Sequence, residues 1–360
     1  MKVTTVGVDT AKNVFQVHGV DEQGHRQFAR QLKVSQVIEF FTRLAPCVVA
    51  MEACGSSHYW ARRLSALGHE VKLIAPQFVK PYVKTNKNDA ADAAAICTAA
   101  RQPDMRFVAP KSVEQQAVMA LHALRSGAMK ARNALACRLR GLLLEFGIAI
   151  AKGIGHVRKR IPEIVEDAGN DLPGFLRVAL QAEYDQMKLL DSHAASLEQQ
   201  IQQWHRQCAA SQAIERISGV GVLSATAYVA SMGDAGAFAS GRHASSWVGI
   251  VPKQNSTGGK TRLLGISKRG DKYLRTLLIH GARSVISSLK RRLQSGKDPA
   301  SFNKRERWVL DVMQRRNPNV AAVALANKNV RTAWAMLAYG RAFEPDHVSI
   351  SPRARMSMAG

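Results

Sequence analysis

The sequence predicts an α/β N-terminal domain, a helical coiled-coil linker and a mainly helical C-terminal domain. Three observations carry that class. Short β-type segments come first, strand-like and helix-like segments then alternate, and two long apolar stripes at helical spacing follow. The boundaries fall at 1–110, 111–210 and 211–343, with an aperiodic tail at 344–360.

VTTVGVD, NVFQVHGV and RQFARQLK are strand-like pieces separated by turn residues, which reads as a three-strand antiparallel meander. SQVIEFFTRLA has the helical period, opened by Ser35 as N-cap. CVVAMEA is a short buried strand, HYWARRLSALGH a helix closed at Gly68, and EVKLIAP a strand stopped by Pro76. A helix follows near DAADAAAICTAARQ. This order, βββαβαβα, is that of a mixed sheet with antiparallel strands leading and parallel strands following, the ribonuclease H-like arrangement.

In the linker, Leu121, Leu124, Ala128, Ala131, Leu135, Leu139, Leu142 and Phe146 step by three and four, as one face of a long helix must. Arg125, Lys130, Arg132, Arg138 and Arg140 lie along the same helix with no acid between 115 and 144, so its other face is expected to hold phosphates. A loop, AKGIGHVRKR, leads to a second stripe at Leu180, Tyr184, Met187, Leu190, Ala194, Leu197, Ile201 and Trp204. The pair reads as an antiparallel coiled coil, packed within the chain or between copies. In the C-terminal domain Ile217-Ser218-Gly219-Val220-Gly221 precedes a helix. It resembles a helix-hairpin-helix turn, whose glycines let backbone amides approach a phosphate, though a plain glycine-bearing helix connection explains it equally.

The chain has 360 residues, with 51 Lys+Arg against 27 Asp+Glu and a net charge of +24. At 46% hydrophobic and 22% charged it is an ordinary globular composition, and so basic a surface draws phosphates, which makes nucleic acid the expected partner. No apolar run approaches the roughly 20 residues of a spanning helix, and Asp9 interrupts what would be a signal peptide; no membrane role and a cytoplasmic location, at the bacterial nucleoid, are expected. Five scattered cysteines without C-x-x-C support neither a disulfide framework nor a zinc site.

Asp9 closes the first strand and Glu52 closes CVVAME, which puts both carboxylates at the same kind of sheet position. Asp89 and Asp92 are three apart at a helix start, and so on one face. Singly, each has an ordinary explanation as a turn, surface or capping residue. Together, in a chain poor in acids, they point to an all-oxygen cluster suited to Mg²⁺ or Mn²⁺, and two such ions support phosphodiester displacement. Lys84 and Lys87 beside them would add phosphate-binding charge.

In 241–280, Lys253, Lys260, Arg262, Lys268, Arg269 and Lys272 are among eight cations facing a single acid, Asp271. Gly259-Lys260-Thr261 lacks the upstream glycine of a P-loop, where Gln254 stands, and Gly219-Val220-Gly221 lacks the third glycine of a dinucleotide fingerprint. What remains is Ser256 in a basic, glycine-bearing loop. It would become a nucleophile if its proton were removed and the phosphate neutralised, and sequence does not separate it from Thr257 or Ser267.

GVDTAK, MEACG, NKNDAADA, ISGVG, SSWVGIVPKQNSTGGK and GISKRGDKYLRTLLIHGARS, in this order along nearly the whole chain, resemble the DEDD insertion-sequence transposases of the IS110 family, IS1111 branch. The resemblance implies a RuvC-like N-terminal domain, a coiled-coil linker and a C-terminal transposase domain. It implies Asp9, Glu52, Asp89 and Asp92 as a metal-binding tetrad and Ser256 as the catalytic serine, attacking donor and target DNA through a phosphoserine link. It further implies homo-oligomers, dimers or tetramers with composite active sites, and guidance by a non-coding bridge RNA. The residues themselves leave two rivals: a metal-dependent RuvC-like nuclease or junction resolvase in which water attacks, and a non-enzymatic nucleic-acid organiser.

Overall fold

The computed structural model describes residues 2–83 and 88–347. Lys84 and Lys87, and the tail from 348 to 360, lie outside the described residues. The chain forms two compact units, divided after Gln116.

The first unit holds β1 (Thr5–Thr10), β2 (Val14–Val20), β3 (Arg26–Lys33), α1 (Val34–Arg43), β4 (Val48–Glu52), α2 (Ser57–Ser65), β5 (Glu70–Ile74), the short α3 (Pro76–Val79), α4 (Asp89–Ala100) and β6 (Phe107–Val108). The strands form one sheet in the order β3-β2-β1-β4-β5-β6. β1, β2 and β3 are antiparallel as the meander predicts, and β1, β4 and β5 run parallel. The two-residue β6, antiparallel to β5, was not expected; its length gives no periodic signal. Alternation decides the faces: Val6, Val8, Phe15, Val17, Val49 and Met51 bury one side against α1 and α2, while Ala50 and Ile74 face α4. Ser35 does not cap α1. The helix begins two residues earlier, with Lys33 at the cap position and its N–H donating to Gln36 Oε1 at 2.9 Å.

The second unit is helical apart from one hairpin. Its elements are α5 (Val113–Leu144, starting in the first unit), α6 (Ile154–Glu166), α7 (Gly174–Gln207), α8 (Ala209–Glu215), α9 (Val222–Met232) and α10 (Gly241–Val248). The hairpin strands β7 (Pro252–Gln254) and β8 (Leu263–Ile266) follow, and then α11 (Lys272–Gln294), α12 (Lys304–Arg315) and α13 (Pro318–Tyr339). The segment read as a loop after the first stripe contains α6: Gly153 turns the chain at φ +120°, and Val157, Ile161 and Ile164 then bury one helical face. The stripe on α5 is also shifted in phase. Leu135 and Leu139 are buried, but so are His122 and Leu143, while Leu124, Leu142 and Phe146 are exposed. His122, absent from the predicted stripe, is part of the seam. On α7 the stripe holds, with Leu180, Met187, Ala194, Leu197 and Ile201 buried.

α5 and α7 run antiparallel, joined by a ladder of ion pairs. Arg125 pairs with Glu198, Arg132 with Asp191 and Arg138 with Glu183, at 2.6, 3.0 and 2.9 Å. Partner numbers fall on α7 as they rise on α5. Three of the five linker cations expected to face phosphate are thus neutralised in place by acids distant in sequence. Arg140 is turned inward, donating to Ile150 O at 3.0 Å, and Lys130 is exposed.

Candidate active site

β1 brings Asp9 to its C-terminal end, and α4 crosses beside it. The crossing is close because residue 7 is glycine: a Cβ there would meet Ala93 O at 2.2 Å and Cys97 N at 2.6 Å. Asn88 caps α4, its side-chain oxygen accepting from Ala91 N at 2.7 Å, which fixes Asp89 and Asp92 on the first turn. Asp9, Asp89 and Asp92 each offer a carboxylate oxygen within 4.8 Å of the others. Glu52 stands outside that group of three. It ends β4, one step beyond the parallel pairing of Val8 with Met51, so it sits beside Asp9 at the same sheet edge.

Three carboxylates so close repel one another unless protons or cations intervene. Their donor set is all oxygen and partly exposed, which fits a hard divalent ion and not zinc. An acidic cluster of this kind suits metal-dependent phosphodiester chemistry.

Ser256 lies in the second unit, in a β-hairpin and not in a loose loop. Gly258 and Gly259 take positive φ of 53° and 77°, and Lys260 N donates to Thr257 O at 3.0 Å. That is the turn that Gly-Gly favours between antiparallel strands, because both central residues need left-handed backbone. Ser256 Oγ accepts from Gln254 Nε2 at 3.0 Å and from Arg262 N at 3.2 Å, and it is exposed. Both lone pairs of the hydroxyl oxygen are thus engaged by N–H donors, and its own O–H is left to donate elsewhere. Sequence reading missed Gln254 as a partner; the signal available was its position two residues before the serine on one hairpin arm.

Lys253, Lys260, Arg262, Lys268, Arg269 and Lys272 are exposed around this hairpin, and among the described residues none forms an ion pair. Arg275 differs: it is buried and donates to Val248 O and Gly270 O, both at 3.1 Å, so it holds the hairpin's base. Gly219 has φ +86°, and its backbone oxygen would lie 1.9 Å from a Cβ on Gly281. Helix packing against α11 therefore accounts for that glycine. Gly221 precedes α9 in open space.

Comparison with known proteins gives consistent matches. Residues 6–148 match a DEDD transposase family of the IS110 type, and residues 211–296 match the family described as "Transposase IS116/IS110/IS902 family". A "probable family 20 transposase" of Pseudomonas aeruginosa is 50% identical over 96% of this chain and 100% of its own length. The transposase for insertion sequence element IS1111A of Coxiella burnetii is 40% identical over 93% of this chain and 90% of its own. That for IS1328 of Yersinia enterocolitica is 38% identical over 95% and 98%.

Proposed function

Because this chain belongs to the IS110 transposase family, and is thus an enzyme that cuts and rejoins DNA, we propose that it exchanges phosphodiester bonds through Ser256, assisted by the acidic cluster of the first unit. The observation that carries this reading is the approach of Asp9, Asp89 and Asp92 to within 4.8 Å on a chain otherwise poor in acids. The N-terminal unit is read as RuvC-like on its strand order, and α5 with α7 as a coiled coil.

In the proposed step Ser256 Oγ loses its proton and bonds to a DNA phosphorus, while one ester oxygen leaves that phosphorus as a hydroxyl. The energy of the broken ester is kept in the new one, so rejoining needs no external nucleotide. Gln254 Nε2 and Arg262 N steady the developing alkoxide, and Lys253, Lys260 and Arg262 offset charge on the phosphate. Asp9, Asp89 and Asp92, with Glu52 beside them, would hold Mg²⁺ or Mn²⁺, which supplies electrostatic stabilisation of charge on the reacting phosphate. The two components come from separate units, which suits a composite site in a homo-oligomer. We assign sequence choice to a non-coding bridge RNA paired with donor and target DNA, consistent with a basic surface that reads backbone more than bases.

The test is adduct trapping. End-labelled element DNA should give a denaturation-resistant protein–DNA species with the native chain, and none with Ser256→Ala, which should still bind DNA. Persistence of the adduct in that variant removes the serine from the reaction; free ends without any adduct point to attack by water.

A further inference from the structure

Within the second unit, α10, the hairpin, α12 and α13 enclose a groove of about 1690 Å³. That exceeds the roughly 300–1,000 Å³ of a small-molecule pocket, so a polymer suits it better. Its wall includes Arg305, Trp308, Lys328 and Arg331, together with the segment after α13, which adds Arg341 and the wall's single acid, Glu344.

Arg305 is only 6% exposed. Its guanidinium hydrogen-bonds Asn329 Oδ1, reaches Thr332 Oγ1 at 3.4 Å and lies 5.5 Å from the centre of the Phe343 ring, but Nε is buried with no hydrogen-bond partner, and among the described residues no carboxylate pairs with it. Burial alone pulls it down to about 10. A buried cation without a counter-ion is costly unless a ligand anion offsets it. Lys328 adds to the excess, its ammonium lying 4.5 Å from the centre of the Trp308 ring. It too is lowered, first by burial and then by the charges of Arg305 and Arg331. Cations that repel one another around a half-buried indole form a lining that wants phosphate and a stacked base.

One further wall is the hairpin itself, through Pro252 and Leu264–Ile266, so the groove runs along the element whose arm carries Ser256.

We propose that this groove holds a single strand of DNA, with Arg305, Lys328 and Arg331 on its backbone and Trp308 against a base, leading that strand toward the Ser256 hairpin. The inference rests on the strand-exchange reading for the strand's destination, and on the groove alone for the binding itself.

The experiment measures binding of fluorescent oligothymidylate of about 20 nucleotides, longer than the roughly 4–16 of a single-strand site, to the full chain. Lys328→Ala with Arg331→Ala, neither a fully buried residue, should lower affinity at least about tenfold and reduce the salt slope by about 1.4, at about 0.7 per lost phosphate contact. Trp308→Ala should lower affinity about tenfold for the single strand and leave a duplex of the same length unaffected. Arg305→Gln should act likewise; if it does not fold, the other variants still decide. Unchanged binding in the double variant, equal competition by inorganic phosphate, or tighter binding of oligouridylate than of oligothymidylate would each overturn the proposal. Ser256→Ala should bind oligothymidylate like the native chain whatever the adduct test yields, so the two readings fail separately.

Discussion

Gly7 shows how one missing carbon places a charged group two residues away. With no Cβ, the backbone of α4 rests directly on β1, and that contact sets the distance from Asp9 to Asp89 and Asp92. Alanine at this position would push its methyl against Ala93 O and the Cys97 backbone, neither of which can swing aside. Gly7→Ala is therefore expected to cost about 1–3 kcal/mol of stability, the usual range for overpacking a tight core. It should also weaken Mn²⁺ binding, because the helix that carries two of the ligands must move off the strand that carries the third. A urea titration beside Mn²⁺ titration calorimetry checks both; lost stability with unchanged Mn²⁺ affinity would detach the cluster from this contact.

At the scale of elements, His122 pins α5 to two neighbours. Thr226 Oγ1 donates to Val222 O at 2.7 Å and so accepts from His122 Nε2 at 3.0 Å, which leaves Nδ1 to accept from Tyr273 Oη, also at 3.0 Å. The neutral ring is satisfied on both sides by α9 and α11. Burial first, and then Arg125, push its pKa down to about 4 from the ordinary 6.5. The unfolded chain therefore binds a proton that the folded one refuses. Stability is full above about pH 6.5 and falls as pH drops toward 4, by about 3 kcal/mol at about 1.36 per unit. Urea midpoints measured across that window should slope steeply for the native chain and flatten in His122→Gln; an unchanged slope would place the titration elsewhere. The same residue explains what was legible in sequence. Strands β1 to β5 and helix α7 were readable because alternation and three-four spacing are local. The seam of α5 was misread because a hydrogen-bonded core histidine has no apolar signature, and α6 because glycines flank a helix whose buried face has only a few residues. Of the acidic cluster, the closeness of Asp89 and Asp92 was legible from their spacing and the place of Asp9 from its strand end. That Glu52 stands outside the closest three depends on where α4 crosses the sheet, which no local pattern encodes.

Across the whole molecule, the net charge of +24 is unevenly available. Arg132 and Arg138 are already committed to Asp191 and Glu183, so their charge acts within the fold. Lys260, Arg262 and Lys268 face solvent beside the Ser256 hairpin and have no ion pair among the described residues. Counter-ion release counts only charges that meet phosphate, at about 0.9 per contact on duplex DNA. Replacing Lys260, Arg262 and Lys268 by alanine should therefore reduce the salt slope of duplex binding by about 2.7. Arg138→Ala, though it removes a residue of the same type from a helix just as basic in sequence, should leave that slope unchanged. Fluorescence anisotropy at several NaCl concentrations separates the cases. Equal losses from the two sets would mean that the α5–α7 pairs open to admit DNA, and that the linker's charge is held in reserve by its own acids until the substrate arrives.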